Sequence, residues 1–126
     1  MRIAALVFAT TALVLPRYAA AQAATLPEGV TPAMIEEGGK LFKGSALCAA
    51  CHGTAATGGV GPNLTDTLWL HSKGSYEEIV HQITVGVPQA QAKGGMMMPP
   101  KGGSTISDAQ VRAVAAYVWS LSHTPK

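Results

Sequence analysis

The stretch Cys48-Ala49-Ala50-Cys51-His52 limits what this chain can become more than any other part of it. Two thiols three positions apart share one side of a helical turn, and the imidazole that follows can face the same object. A disulfide across so short a loop would leave His52 without a role. Thioredoxin-like redox chemistry asks for a strand-to-helix junction in a βαβ unit, and the sequence has no convincing strand pattern. Zinc needs four ligands, and His71, His81 and His123 are not at finger-like spacings. The spacing matches covalent haem attachment, in which both sulfurs add to vinyl groups and the histidine ligates iron.

The rest of the 126-residue chain is compatible with one small haem domain. Arg2 followed by the apolar run Ile3 to Leu15 reads as a leader; as a helix it spans roughly 20 Å, too short for a bilayer core. A secretory signal peptide over residues 1–21 is therefore expected, with cleavage after Ala21 or after Ala23. Residues 22–30 read as a flexible N-terminal arm, and residues 31–126 as the folded domain. Removing Arg2 and Arg17 from nine basic residues balances the seven acidic ones, so no concentrated basic face points to nucleic acid. Aromatic residues are only 6% of the chain, and a domain this small usually needs a staple, which a covalent cofactor supplies.

Helix signals come in three places. Thr31 caps a helix whose first position is Pro32 and which runs to Phe42, with Met34, Ile35, Gly38, Leu41 and Phe42 on one side. Gly38 and Gly39 either admit a second helix at close range or leave this helix frayed, each costing about 1 kcal/mol relative to alanine. Ser75 and Glu78 form a capping box ahead of a helix at Tyr76 to Thr84. Ser107 and Gln110 form another, ahead of a helix reaching about Ser122 with Val111, Val114, Ala115, Val118 and Leu121 as its apolar stripe. Between them, Gly53 to Leu64 is a glycine-rich loop of small residues, Gln89 to Gly95 reads as a flexible polar loop, and no sheet is expected. The fold class is all-α: three to four short helices wrapped around one covalently bound haem.

Histidine-bound haem iron needs a sixth ligand or an open position. A methionine stiffened by a neighbouring proline suits an electron carrier, because a thioether raises the potential. Met98 precedes Pro99 and is the leading candidate, although Met96 and Met97 leave the register open. The metal ligands expected are thus His52 and Met98. A metal-bound imidazole donates its other N–H to an acceptor, and the Pro62 carbonyl is a plausible one.

Cys48 to Gly53, then Gly61-Pro62-Asn63-Leu64-Thr65-Asp66 with Trp69-Leu70, then Met98-Pro99-Pro100 and Tyr117 to Ser122, together resemble class I c-type cytochromes. The chain is similar to the haem domains in the dihaem subunits of cbb-type haem–copper oxidases, over nearly all of its mature length. The resemblance implies a cytochrome c fold in which Gly38 and Phe42 of the first helix cross Val114 and Tyr117 of the last. It implies that Pro62 accepts the proximal imidazole N–H, that Leu64 packs on the haem ring, that Met98 is the distal ligand, and that Trp69 lies near a propionate. The chain departs from those subunits in having one haem motif, no mature membrane span and a longer approach from Val87 to Met97.

These observations lead to a soluble periplasmic monohaem cytochrome c that is not itself an enzyme. It would carry single electrons between larger redox proteins by transient docking at a mostly apolar haem edge, with Ala49, Ala50 and the Met98 loop in the contact patch and Lys43, Lys93 and Lys101 around it. The alternatives are a dedicated cytochrome subunit of a periplasmic dehydrogenase or oxidase complex and a haem protein that binds a small gas.

Overall fold

In the computed structural model, residues 25–93 and 95–123 are described. The expected leader, residues 1–21, lies outside the described residues. Four α-helices follow in order: α1 Pro32–Lys43, α2 Ala49–His52, α3 Tyr76–Val85 and α4 Asp108–His123. Short 3₁₀ turns stand at Gln89–Gln91 and Pro100–Gly103. Among the described residues the only extended pairing is an isolated antiparallel bridge between Val87 and Met98.

The three longer helices, α1, α3 and α4, begin as their sequence dictates. The Thr31 hydroxyl accepts the Met34 N–H at 3.2 Å, with Pro32 in the first turn. Glu78 reaches back to accept the Ser75 N–H and hydroxyl at 3.1 and 2.7 Å, and these bonds hold its carboxyl below the usual carboxylate range. Gln110 accepts the Ser107 N–H at 2.9 Å while donating its own backbone N–H to the Ser107 hydroxyl at 3.3 Å. At the chain's entry, Val30 is buried and Leu26 packs on the core, so the later part of the 22–30 arm is docked.

The core lies where α4 crosses α1 and, less extensively, α3. Phe42, Val111 and Val114 are its largest fully buried side chains. Gly38 is the point of closest approach: a Cβ there would run into the Ala113 carbonyl and come within 2.9 Å of Tyr117 Cβ. Of the two readings of the glycine pair, close helix approach is the one the structure shows. One turn on, the Phe42 ring meets that of Tyr117 at a centroid distance of 5.4 Å. α3 is joined to α4 by the Tyr76 hydroxyl, which donates to the Arg112 carbonyl at 3.2 Å.

Gly38 and Gly39 should therefore respond differently to alanine. Gly38→Ala forces backbone apart and is expected to cost about 2 to 3 kcal/mol. At Gly39 the added Cβ meets only the Tyr117 ring, at 3.2 Å. A small ring movement there is offset by about 1 kcal/mol of helix propensity, so Gly39→Ala should stay near wild type. Denaturant unfolding of the two variants measures the contrast.

Candidate haem site

The motif turn is held by its own backbone and by the loop that follows. The His52 N–H donates to the Cys48 carbonyl at 3.0 Å, closing α2. The carbonyls of Cys51 and His52, which a helix this short leaves without internal partners, accept N–H groups from Gly61 and Gly58, both at 2.9 Å. Residues 53–64 thus fold back across the end of α2. The Ala56 carbonyl then accepts the Leu64 N–H at 2.8 Å and pins the far end of the loop. Glycine is needed at Gly61 for a separate reason, since a Cβ there would sit 3.0 Å from two atoms of the His52 ring.

This wrap places the Pro62 carbonyl 2.9 Å from His52 Nδ1. A carbonyl can only accept, so Nδ1 carries a proton in this contact and Nε2 is the ring nitrogen left to ligate a metal. The imidazole is buried, and Phe42 leans on it at a centroid distance of 6.5 Å. Cys48 is buried, its sulfur 3.4 Å from the Ala46 carbonyl, and burial pushes its thiol up to about 11. Cys51 is half-buried, and the two sulfurs are not bonded to each other.

One cleft brings together Cys48, Cys51, His52, Pro62, Leu64 and Met98, all six residues singled out from the sequence. Met96 and Met97 line it as well, but they are 62% and 45% exposed, whereas Met98 is partly buried against the core. Trp69 also lines the cleft, standing over Gly74 at the foot of α3, where any side chain would collide with the indole. The donor set fits a covalent haem: two thiols, an imidazole of fixed tautomer and a thioether share a cleft with apolar walls.

Part of the lining carries no signal in the sequence. Leu47 sits in the cleft with φ +58°, 52% exposed, and Val60 and Leu68 are also exposed there. Apolar residues in a glycine-rich or polar stretch carry no periodicity that would mark them. Of the lysines expected around the edge, Lys101 is drawn elsewhere: its ammonium donates to Asp108 at 2.8 Å and to the Ile106 carbonyl at 3.0 Å. Lys93 stays beside the cleft and donates to the Leu70 carbonyl at 3.0 Å. The segment read as a flexible loop from Gln89 to Gly95 contains a 3₁₀ turn and an ordered glutamine side chain.

A helical fold without a named strand among the described residues, closed around a thiol, thiol and imidazole cleft, defines a c-type cytochrome. Comparison with known proteins agrees. Residues 33–118 match the family model described as cytochrome c oxidase, cbb3-type, subunit III, and the chain belongs to that family. The cbb3-type cytochrome c oxidase subunit FixP of Sinorhizobium medicae is 40% identical over 94 residues, covering 72% of this chain and 31% of that protein. The FixP subunit of a Bradyrhizobium species is 45% identical over 82 residues, covering 62% of this chain and 28% of that protein. The chain therefore spans about a third of the length of these relatives. Cytochrome cL of Methylophaga aminisulfidivorans superposes with a TM-score of 0.54 at 23% identity, covering 71% of this chain and 53% of that one, a likeness of fold. One covalent haem c is the cofactor of this chain, with Cys48 and Cys51 at the attachment spacing.

Attachment is testable on the holoprotein. Haem should resist extraction by acidified organic solvent in the wild type and in either single Cys→Ser variant. It should be lost from the Cys48→Ser/Cys51→Ser double variant, and haem staining of a denaturing gel reports the difference.

Proposed function

We propose that the chain is a periplasmic one-electron carrier whose iron is held by His52 and Met98. The observation that supports this best is the pairing across one cleft of an imidazole with a committed Nδ1–H and a partly buried thioether braced by Pro99. Bound haem supplies one-electron chemistry without bond making or breaking in a substrate. The chain's contribution is positional. The two cysteines would hold the haem covalently, Pro62 orients His52 through Nδ1, and Met98 would supply the second iron ligand, leaving no position for water or a small ligand. A thioether opposite an imidazole favours the reduced state.

Two settings suit such a carrier: a freely diffusing shuttle and a dedicated cytochrome subunit of a larger complex. The family match favours the second, because relatives at about 40% identity bear the name of an oxidase subunit. We read the chain as delivering electrons within or to such an assembly from its periplasmic side. No helix of the described residues is long and apolar enough to cross a membrane. A stable complex with a haem–copper oxidase on gentle extraction supports the subunit setting, and recovery of the chain alone in the periplasmic fraction supports the free shuttle.

Met98→Ala tests the carrier chemistry in either setting. The reduced wild-type protein should bind carbon monoxide weakly, and the variant rapidly and tightly. The variant's potential should fall by on the order of 100 mV. Tight carbon monoxide binding by the wild type would favour the gas-binding alternative.

A further inference from the structure

We propose that residues 86–89 act as a register clamp that selects Met98 from three consecutive methionines, with Gly86 and Gln89 as positioning residues; the inference rests on the reading of Met98 as distal ligand. Chemistry alone does not choose among Met96, Met97 and Met98, since each offers the same thioether and all three line the cleft. In an extended segment, a slip of one residue turns a different side chain inward. Something outside the run must set its register.

Three residues of one neighbouring segment, Gly86, Val87 and Gln89, do so. The Val87 N–H donates to the Met98 carbonyl at 2.8 Å, and the Met98 N–H donates to the Val87 carbonyl at 3.0 Å, so both backbone groups of Met98 are committed. Gly86 ends α3 at φ +73°, and a Cβ there would collide with the Met98 carbonyl oxygen and stand 2.8 Å from Pro100 N. The chain after Met98 therefore lies directly on the glycine backbone. The Gln89 side chain holds the residues just before: its Nε2 donates to the Gly95 carbonyl at 2.9 Å, and its Oε1 accepts the Met97 N–H at 3.3 Å. With Met97 held by its amide on an exposed stretch and Met98 paired to Val87, the side chain that packs on the core is Met98. The long approach to the distal methionine is thus a closed structure whose start grips its end.

The test uses holoprotein with Gln89→Ala, Gln89→Glu and Gly86→Ala. Tyr76→Phe is the control, because it loosens α3 from α4 away from this loop. Carbon monoxide affinity of the reduced protein reports the fraction of molecules with the sulfur detached. Gln89→Ala should raise that affinity about three- to ten-fold and Gly86→Ala at least ten-fold. Gln89→Glu keeps the acceptor for Met97 but loses the donor to Gly95, and should fall between wild type and Gln89→Ala. Amide exchange at Met97 should quicken in Gln89→Ala while that of Met98 stays protected. Wild-type affinity in both Gln89→Ala and Gly86→Ala, or an equal rise in Tyr76→Phe, would overturn the clamp. The sulfur-to-iron charge-transfer band of wild-type ferric protein separately reads the ligand assignment, and its persistence in Met98→Ala would reject that assignment rather than the clamp alone.

Discussion

Where α1 crosses α4, the Gly38 backbone lies against the Ala113 carbonyl with no side chain between them. That approach sets the height at which Phe42 enters the core, one helical turn later, where its ring meets Tyr117 on one side and His52 on the other. The His52 imidazole therefore stands beside a wall whose position is decided by a helix crossing rather than by the motif itself. A glycine in a helix costs about 1 kcal/mol, while burying a side chain such as Phe42 or Val114 is worth about 1.5 to 3 kcal/mol. The crossing that glycine permits outweighs the propensity it gives up.

The other support of the site is made of backbone. Loop 53–64 contributes few side chains to the core, Ala56 being fully buried and Leu64 packed at its edge. Its N–H groups meet the carbonyls at the end of α2, and its Pro62 carbonyl accepts a hydrogen bond from the imidazole Nδ1–H. Small residues let a loop lie this close to a four-residue helix. The motif turn would otherwise end in unsatisfied carbonyls.

Local signals in the sequence were enough for the helices. Thr31-Pro32, Ser75 to Glu78 and Ser107 to Gln110 each name a start within the span of four residues, and the helices begin there. The site residues were legible in a different way. Cys48, Cys51 and His52 are adjacent, so their chemistry can be read directly; Met98 beside Pro99 and the Pro62 carbonyl follow from what a haem iron and its imidazole need, while Leu64 is marked only by the resemblance to a family. What stayed hidden depends on partners far along the chain or on backbone shape. Lys101 turns toward Asp108 and Ile106, Leu47 adopts a positive φ, and the Gln89 amide spans Gly95 and Met97. A polar residue in a polar loop looks the same whether its amide is in water or holding a turn. Gly38 is the converse case, a glycine whose purpose depends on Ala113, 75 residues further along the chain.

The contact between Gly38 and Ala113 joins residues about 75 positions apart, a separation at which loop-closure entropy is substantial. The haem motif lies inside that loop, near its beginning. Contacts of this range slow folding, whereas the bonds between α2 and loop 53–64 span ten residues or fewer and can form early. The motif side of the pocket is thus kinetically local and the helix pair that walls it is not, so the chain can present its two thiols beside the imidazole before α1 and α4 have met.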